Sequence, residues 1–147
     1  MSNKTYRTST EEETKSVAAE FASTLNGGDV VFLSGDLGSG KTTFVRGVAE
    51  MFGFKEPVRS PSFTIVNRYP VENSTVKRIL HVDFYRLDDP SEIVPLALEE
   101  EVGRPDTVTF IEWPEKAEGR ISEASQYIVF VADGDTRTIT LLVPPRD

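Results

Sequence analysis

Gly35-Asp36-Leu37-Gly38-Ser39-Gly40-Lys41-Thr42 is the stretch on which the reading of this chain turns. It matches the phosphate-binding pattern G-x-x-x-x-G-K-[ST] at every specified position. Gly35 and Gly40 permit backbone turns that a Cβ would block. The loop's N–H groups can then converge on phosphate oxygens, and the helix that follows adds the positive end of its dipole. Lys41 brings a point charge for the β- and γ-phosphates. Thr42 brings a hydroxyl for Mg²⁺. The flanks agree with this reading. Val30-Val31-Phe32-Leu33 is a short apolar run of the kind that forms a buried parallel strand. Phe44, Val45, Val48 and Phe52 then recur at helical spacing, with Gly53 as a stop.

Outward from that unit, Lys4 to Thr8 reads as a short edge strand. Thr10 and Glu13 form a capping-box signature. Val17, Ala18, Phe21, Ala22 and Leu25 make one apolar helix face, which Asn26-Gly27-Gly28-Asp29 ends. Downstream, Phe63 to Tyr69 and Val76 to Phe84 form an expected hairpin around the turn Glu72-Asn73-Ser74-Thr75. Asp88-Asp89-Pro90-Ser91 opens a helical region that Pro95 should interrupt. Val108 to Ile111 is the next strand. Tyr127 to Val131 and Thr138 to Val143 make a last hairpin around Asp133-Gly134-Asp135. The expected fold is α/β: a P-loop NTPase-like, three-layer arrangement with a mixed β-sheet flanked by helices. With 147 residues and no visible linker or repeat, residues 1–147 are expected to form one domain.

Composition narrows the setting. Apolar residues at 38% are enough for a real core. The chain has no cysteine, which excludes disulfides and thiolate metal sites. No apolar run approaches a membrane span, and Met1-Ser2-Asn3-Lys4-Thr5 lacks the apolar region of a signal peptide, so a cytoplasmic protein is expected. A net charge of −8 repels bulk nucleic acid and anionic membrane. Any connection to RNA is therefore expected to run through another protein. The clusters Glu11-Glu12-Glu13 and Glu99-Glu100-Glu101 read as solvated faces.

A phosphate loop alone binds; hydrolysis also requires a carboxylate for the metal and a group to position water. Asp83 ends the apolar stretch Ile79-Leu80-His81-Val82, and Glu112 ends Val108-Thr109-Phe110-Ile111. In open α/β sheets ligands gather beyond the carboxyl ends of strands, so both acids can face the phosphates. Glu112 and Thr42 are read as closest to the metal, with Asp83 in the same cluster and either acid a candidate for orienting water. Trp113 follows Glu112 and serves either as an apolar anchor or as a ring stacked near a nucleotide or partner. Ser60-Pro61-Ser62-Phe63-Thr64 lies where many nucleotide hydrolases keep a loop that orders around the γ-phosphate. His81, the sole histidine, is read as a buried, hydrogen-bonded imidazole rather than a catalytic one. Arg86 or Arg59 could touch phosphate, though neither spacing is diagnostic.

Four blocks together resemble one family. Gly35 to Phe44 looks like the phosphate loop of the bacterial TsaE (YjeE) ATPases. Ser60-Pro61-Ser62-Phe63-Thr64 resembles their S-P-T-[FY]-T segment. His81-Val82-Asp83-Phe84-Tyr85-Arg86-Leu87 is similar to their H-x-D-x-Y-R-L block, and Glu112-Trp113-Pro114-Glu115-Lys116 to their E-W block. Ser39 stands where Ala is commoner, and Ser62 where Thr is commoner. The resemblance implies an ATPase of the machinery that makes N6-threonylcarbamoyladenosine at position 37 of tRNA. Its ATP and Mg²⁺ would act on two partners, the transferase subunit and that subunit's inactive homologue, with tRNA reached only indirectly. By position, Gly38, Ser39, Gly40, Lys41, Thr42 and Thr43 would cradle the phosphates, with Glu11 and Trp113 also at the nucleotide. Thr42, Glu112 and Asp83 would hold the metal. Lys41, Asp83 and Glu112 would carry catalysis. The alternatives are a small-molecule kinase built on the same loop and a nucleotide-sensing adaptor without hydrolysis.

Overall fold

The apolar run ahead of the phosphate loop forms β2 (Val30–Ser34), and it lies mid-sheet with parallel neighbours on both sides. The computed structural model of the chain describes residues 2–36, 38–58, 65–73, 75–117 and 124–143. In chain order the other elements are β1 (Ser2–Thr8), α1 (Glu11–Ala22), α2 (Lys41–Met51), β3 (Val66–Pro70), β4 (Arg78–Asp83), β5 (Thr107–Glu112), β6 (Gln126–Asp133) and β7 (Thr136–Val143). They form a seven-stranded sheet in the order β1-β7-β6-β2-β5-β4-β3. The strands β6, β2, β5 and β4 run parallel, and antiparallel pairs β7/β1 and β4/β3 close the two margins. The mixed α/β sheet expected from the sequence is the one observed.

Strand alternation divides the core into two layers. Val31, Leu33, Ile79, Val108, Phe110, Ile128 and Phe130 join one apolar cluster with α1 and α2. Val30, Leu80, Val82 and Ile111 turn to the opposite side and form the other. The helices that flank that second side are 3₁₀ rather than α-helical. Among the described residues the covering includes 3₁₀ turns at Pro90–Leu96, Leu98–Glu100 and Pro114–Ala117, which contribute Ile93, Leu98 and Ala117. The expected break at Pro95 falls instead at Ala97, whose φ is 51°. A 3₁₀ turn tolerates a proline that a longer α-helix would not, because it loses less hydrogen bonding there.

Local signals explain the helices. Thr10 caps α1, with Glu13 N–H donating to its Oγ1 at 3.1 Å. Glu13 reaches back and accepts from Ser9 N–H at 2.7 Å. The helix ends at Ala22, four residues before Asn26. Both helices pack on the same side of the sheet. Phe44 on α2 lies between Phe21 of α1 and Phe130 of β6, with ring centroids 5.6 and 5.5 Å away. Gly47 lets the helices touch: a Cβ there would come 2.7 Å from the Ala18 Cβ.

One acidic cluster is not the solvated face expected. Glu99 and Glu100 are exposed, but Glu101 accepts a forked pair of hydrogen bonds from Arg68, Nε at 2.8 Å and Nη2 at 2.5 Å. Arg78 Nη1 adds a second cation at 3.6 Å. The Arg68 hydrogen bonds hold the Glu101 carboxyl below its usual range, against the opposing effect of burial. The folded value is therefore depressed relative to the unfolded chain. The stabilisation is present above the ordinary glutamate value, about 4.3, and is lost as pH falls through the folded value. Arg68 is half exposed, so solvent screening limits the effect. Glu101→Gln is expected to lower stability at pH 7 by about 0.5–1 kcal/mol. Urea unfolding at pH 7 and again near pH 3 should show the difference from the parent at neutral pH and little at acid pH. An equal difference at both would contradict the ion-pair origin.

Candidate functional site

The phosphate loop leaves β2 and turns into α2 through glycines held at positive φ, 76° at Gly38 and 105° at Gly40. Gly40 is the N-cap residue and supplies no side chain to the helix. The first amides of any α-helix have no intrahelical acceptor, and no cap competes for them here. They open on a cleft of about 560 Å³. Gly38, Gly40, Lys41, Thr42 and Thr43 line it from the loop side. Ser39 does not reach the wall. It is 1% exposed, its N–H donates to Asp36 O at 3.2 Å, and its Oγ has no hydrogen-bond partner among the described residues.

The facing carboxylates follow from sheet register. β4 and β5 run parallel with Asp83 directly beside Glu112. Asp83 shares a strand face with Ile79, and Glu112 with Val108 and Phe110, so both side chains project on the α2 side of the sheet. Both are buried, at 2% and 3% exposure, and both line the cleft. Asp83 Oδ1 accepts the Tyr85 N–H at 2.8 Å. Glu112 Oε2 lies 2.7 Å from His81 Nε2, and Oε1 lies 3.8 Å from Lys41 Nζ.

Lys41 is 5% exposed and donates to Gly35 O at 2.5 Å. Its ammonium stands 4.7 Å from the centroid of the Trp113 ring, a cation–π contact. Trp113 thus sits against Lys41 and is not part of the cleft wall. The chain turns sharply at Trp113, whose φ is 56°. The loops leaving β4 and β5 are tied there by the Tyr85–Trp113 ring pair, 5.2 Å apart, and by Lys116 Nζ donating to Tyr85 O.

The opposite wall was only partly foreseen. Glu11 lines it, as carried over from the family, but so do Ser9, Thr10, Thr14, Asp135 and Arg137. The antiparallel pairing of β1 with β7 sets Thr8 beside Arg137 and so brings the start of α1 to the final hairpin. Nothing local in the sequence announces that pairing. His81 is buried and hydrogen-bonded, as its position in an apolar strand indicated. Arg59 and the segment Ser60 to Thr64 lie outside the described residues. Ile65, the next residue along, accepts the Asp83 N–H at 2.8 Å.

Chemically, the cleft joins a row of unspent backbone donors, one buried ammonium and two buried carboxylates. Donors and ammonium suit phosphate oxygens. Two carboxylates and the Thr42 hydroxyl are an all-oxygen set suited to a hard divalent cation. Among the described residues no group of three or more His, Cys, Asp or Glu is placed to hold a metal. Such a set fits Mg²⁺, which usually takes one or two carboxylates and completes its shell with water and phosphate.

Known proteins resemble this chain over most of its length. The family model described as "Threonylcarbamoyl adenosine biosynthesis protein TsaE" matches residues 8–139. The tRNA threonylcarbamoyladenosine biosynthesis protein TsaE of Bacillus subtilis (strain 168) is 40% identical over 136 residues, 92% of this chain and 82% of that protein. The protein of the same name from Rickettsia bellii is 43% identical over 106 residues, 71% of this chain and 70% of that one. The crystal structure of Bacillus subtilis YdiB superposes with a TM-score of 0.77 at 35% identity, covering 97% of this chain and 86% of that one. Agreement with the family model over residues 8–139, in sequence over most of the chain and in fold means that this chain belongs to the TsaE family.

Proposed function

We propose that this chain binds ATP with Mg²⁺ in the cleft beneath Gly40 and hydrolyses it in the cytoplasm as the energy-coupling component of tRNA threonylcarbamoyladenosine biosynthesis. It acts on the transferase subunit and that subunit's inactive homologue, and reaches tRNA only through them. One observation carries the reading: the uncapped N-terminus of α2 and the buried Lys41, Asp83 and Glu112 meet in a single cavity. Membership of a threonylcarbamoyl adenosine biosynthesis family supports the pathway.

Each residue has a task in this reading. The amides of Gly38, Gly40, Lys41, Thr42 and Thr43 bind phosphate oxygens, and the α2 dipole favours their charge. Lys41, already desolvated, offers its ammonium to the β- and γ-phosphates. Thr42, Glu112 and Asp83 hold the metal, which supplies charge neutralisation to the phosphoryl group in transfer. Asp83, anchored through Tyr85 N–H, or Glu112 orients the attacking water. The net charge of −8 suits a component that leaves tRNA contact to its partners.

The test is phosphate release from Mg-ATP by the chain alone and with both partners added. Slow release that rises when the partners are present is the expected result. A phosphorylated acceptor in place of free phosphate would make the chain a small-molecule kinase. Binding without turnover, even with partners, would make it an adaptor.

A further inference from the structure

The two oxygens of Glu112 are engaged differently, and the difference is imposed from behind. Oε2 meets His81 Nε2 at 2.7 Å, while Oε1 faces Lys41 across 3.8 Å. His81 is fully buried on β4. A carboxylate only accepts, so Nε2 is the donor in either charge state of the ring. The other ring nitrogen, Nδ1, lies 3.2 Å from the Tyr69 hydroxyl. In the neutral ring that nitrogen accepts from Tyr69, which sets the tautomer. Tyr69 is itself wedged, with its ring 5.0 Å from Phe54 and 6.0 Å from His81. A hydrogen-bonded line therefore runs Tyr69–His81–Glu112 across the adjacent strands β3, β4 and β5.

We infer that Tyr69 and His81 are positioning residues that lock the Glu112 side chain, committing Oε2 to His81 and presenting Oε1 to the cation that arrives with the phosphates. Neither residue lines the cleft. The inference rests on the Mg-nucleotide reading above. Its physical basis is that a glutamate has three side-chain torsions to order, whereas Mg²⁺ demands near-ideal octahedral geometry. Partners behind a ligand that hold its orientation raise metal affinity without touching the metal.

The experiment is calorimetric binding of ADP to the full chain, once with Mg²⁺ and once with EDTA. His81→Leu is expected to reduce the Mg²⁺-dependent tightening about tenfold while leaving affinity in EDTA unchanged. His81→Gln, whose amide can donate to Oε2 from a similar place, is expected to recover most of the loss. Tyr69→Phe keeps the ring packing and frees the imidazole; it is expected to weaken the Mg²⁺-dependent step by about threefold, less than loss of the imidazole itself. In turnover, the concentration of Mg²⁺ needed for half-maximal rate rises, while KM for ATP at saturating Mg²⁺ stays put. Equal weakening of ADP by His81→Leu in EDTA and in Mg²⁺ would overturn the inference. So would a His81→Gln chain no better than His81→Leu. If His81→Leu fails to fold, Tyr69→Phe with a normal melt and a parental response to Mg²⁺ overturns it alone. A parent chain that binds ADP no tighter with Mg²⁺ than in EDTA would instead remove the metal-nucleotide reading itself, and the inference with it.

Discussion

Lys41→Ala is expected to abolish hydrolysis and weaken Mg-nucleotide binding about 100-fold, the equivalent of roughly 3 kcal/mol of charge-assisted contact. Lys41 is the ammonium at the loop and is held ready by Gly35 O. Removing it also takes a cation from beside Glu112. Breaking a buried pair in this way costs up to about 3 kcal/mol, at the lower end of the usual range because Glu112 keeps its His81 hydrogen bond. The chain should therefore melt at a lower temperature and still fold. Calorimetry with and without Mg²⁺, run beside a thermal melt, separates the two effects. Parental nucleotide affinity in a folded mutant would refute the assignment of the cleft.

The second large effect concerns the wedge that holds α2 in place. Phe44→Ala is expected to destabilise the chain by about 3–5 kcal/mol. The Phe44 ring is fully buried and touches Phe21 on α1 and Phe130 on β6. Deleting it opens a cavity where both helices meet the sheet, and the close approach at Gly47 leaves little slack for collapse. Phe44 also lies two residues beyond Thr42, so loosening it lets the N-terminus of α2 drift at the cleft. Urea unfolding measures the stability loss. A loss under about 1.5 kcal/mol would mean that the site repacks and that Phe44 is not the wedge described.

How much of this was legible beforehand depended on the range of the physical signal. The capping pair Thr10 and Glu13 was readable because both act within one turn. The β3–β4 and β6–β7 hairpins were readable because short turns join strands that then pair antiparallel. Asp83 and Glu112 stood out as acids closing apolar strands. Their position side by side followed only from the β4–β5 register. Glu101 looked solvated within an acidic run. Its partners Arg68 and Arg78 lie on β3 and β4, far back in the chain, and no local pattern connects them. The helical region opened by Asp88-Asp89-Pro90-Ser91 is present, but its 3₁₀ form and its continuation past Pro95 to Leu96 were not legible locally.

The amino-acid sequence alone determined the phosphate loop, the helix it starts, the strand it leaves and the family. The loop, helix and strand depend on glycine torsions and short-range periodicity, each acting within a few residues, whereas the family was read from the resemblance of four sequence blocks. Tertiary structure alone decided that β1 pairs with β7, that Arg137 and Thr14 complete the cleft, and that Tyr69 stands behind His81 and Glu112. Alternation along a strand says which residues share a face, but not which strand will lie beside it. That choice belongs to the closure of the whole sheet.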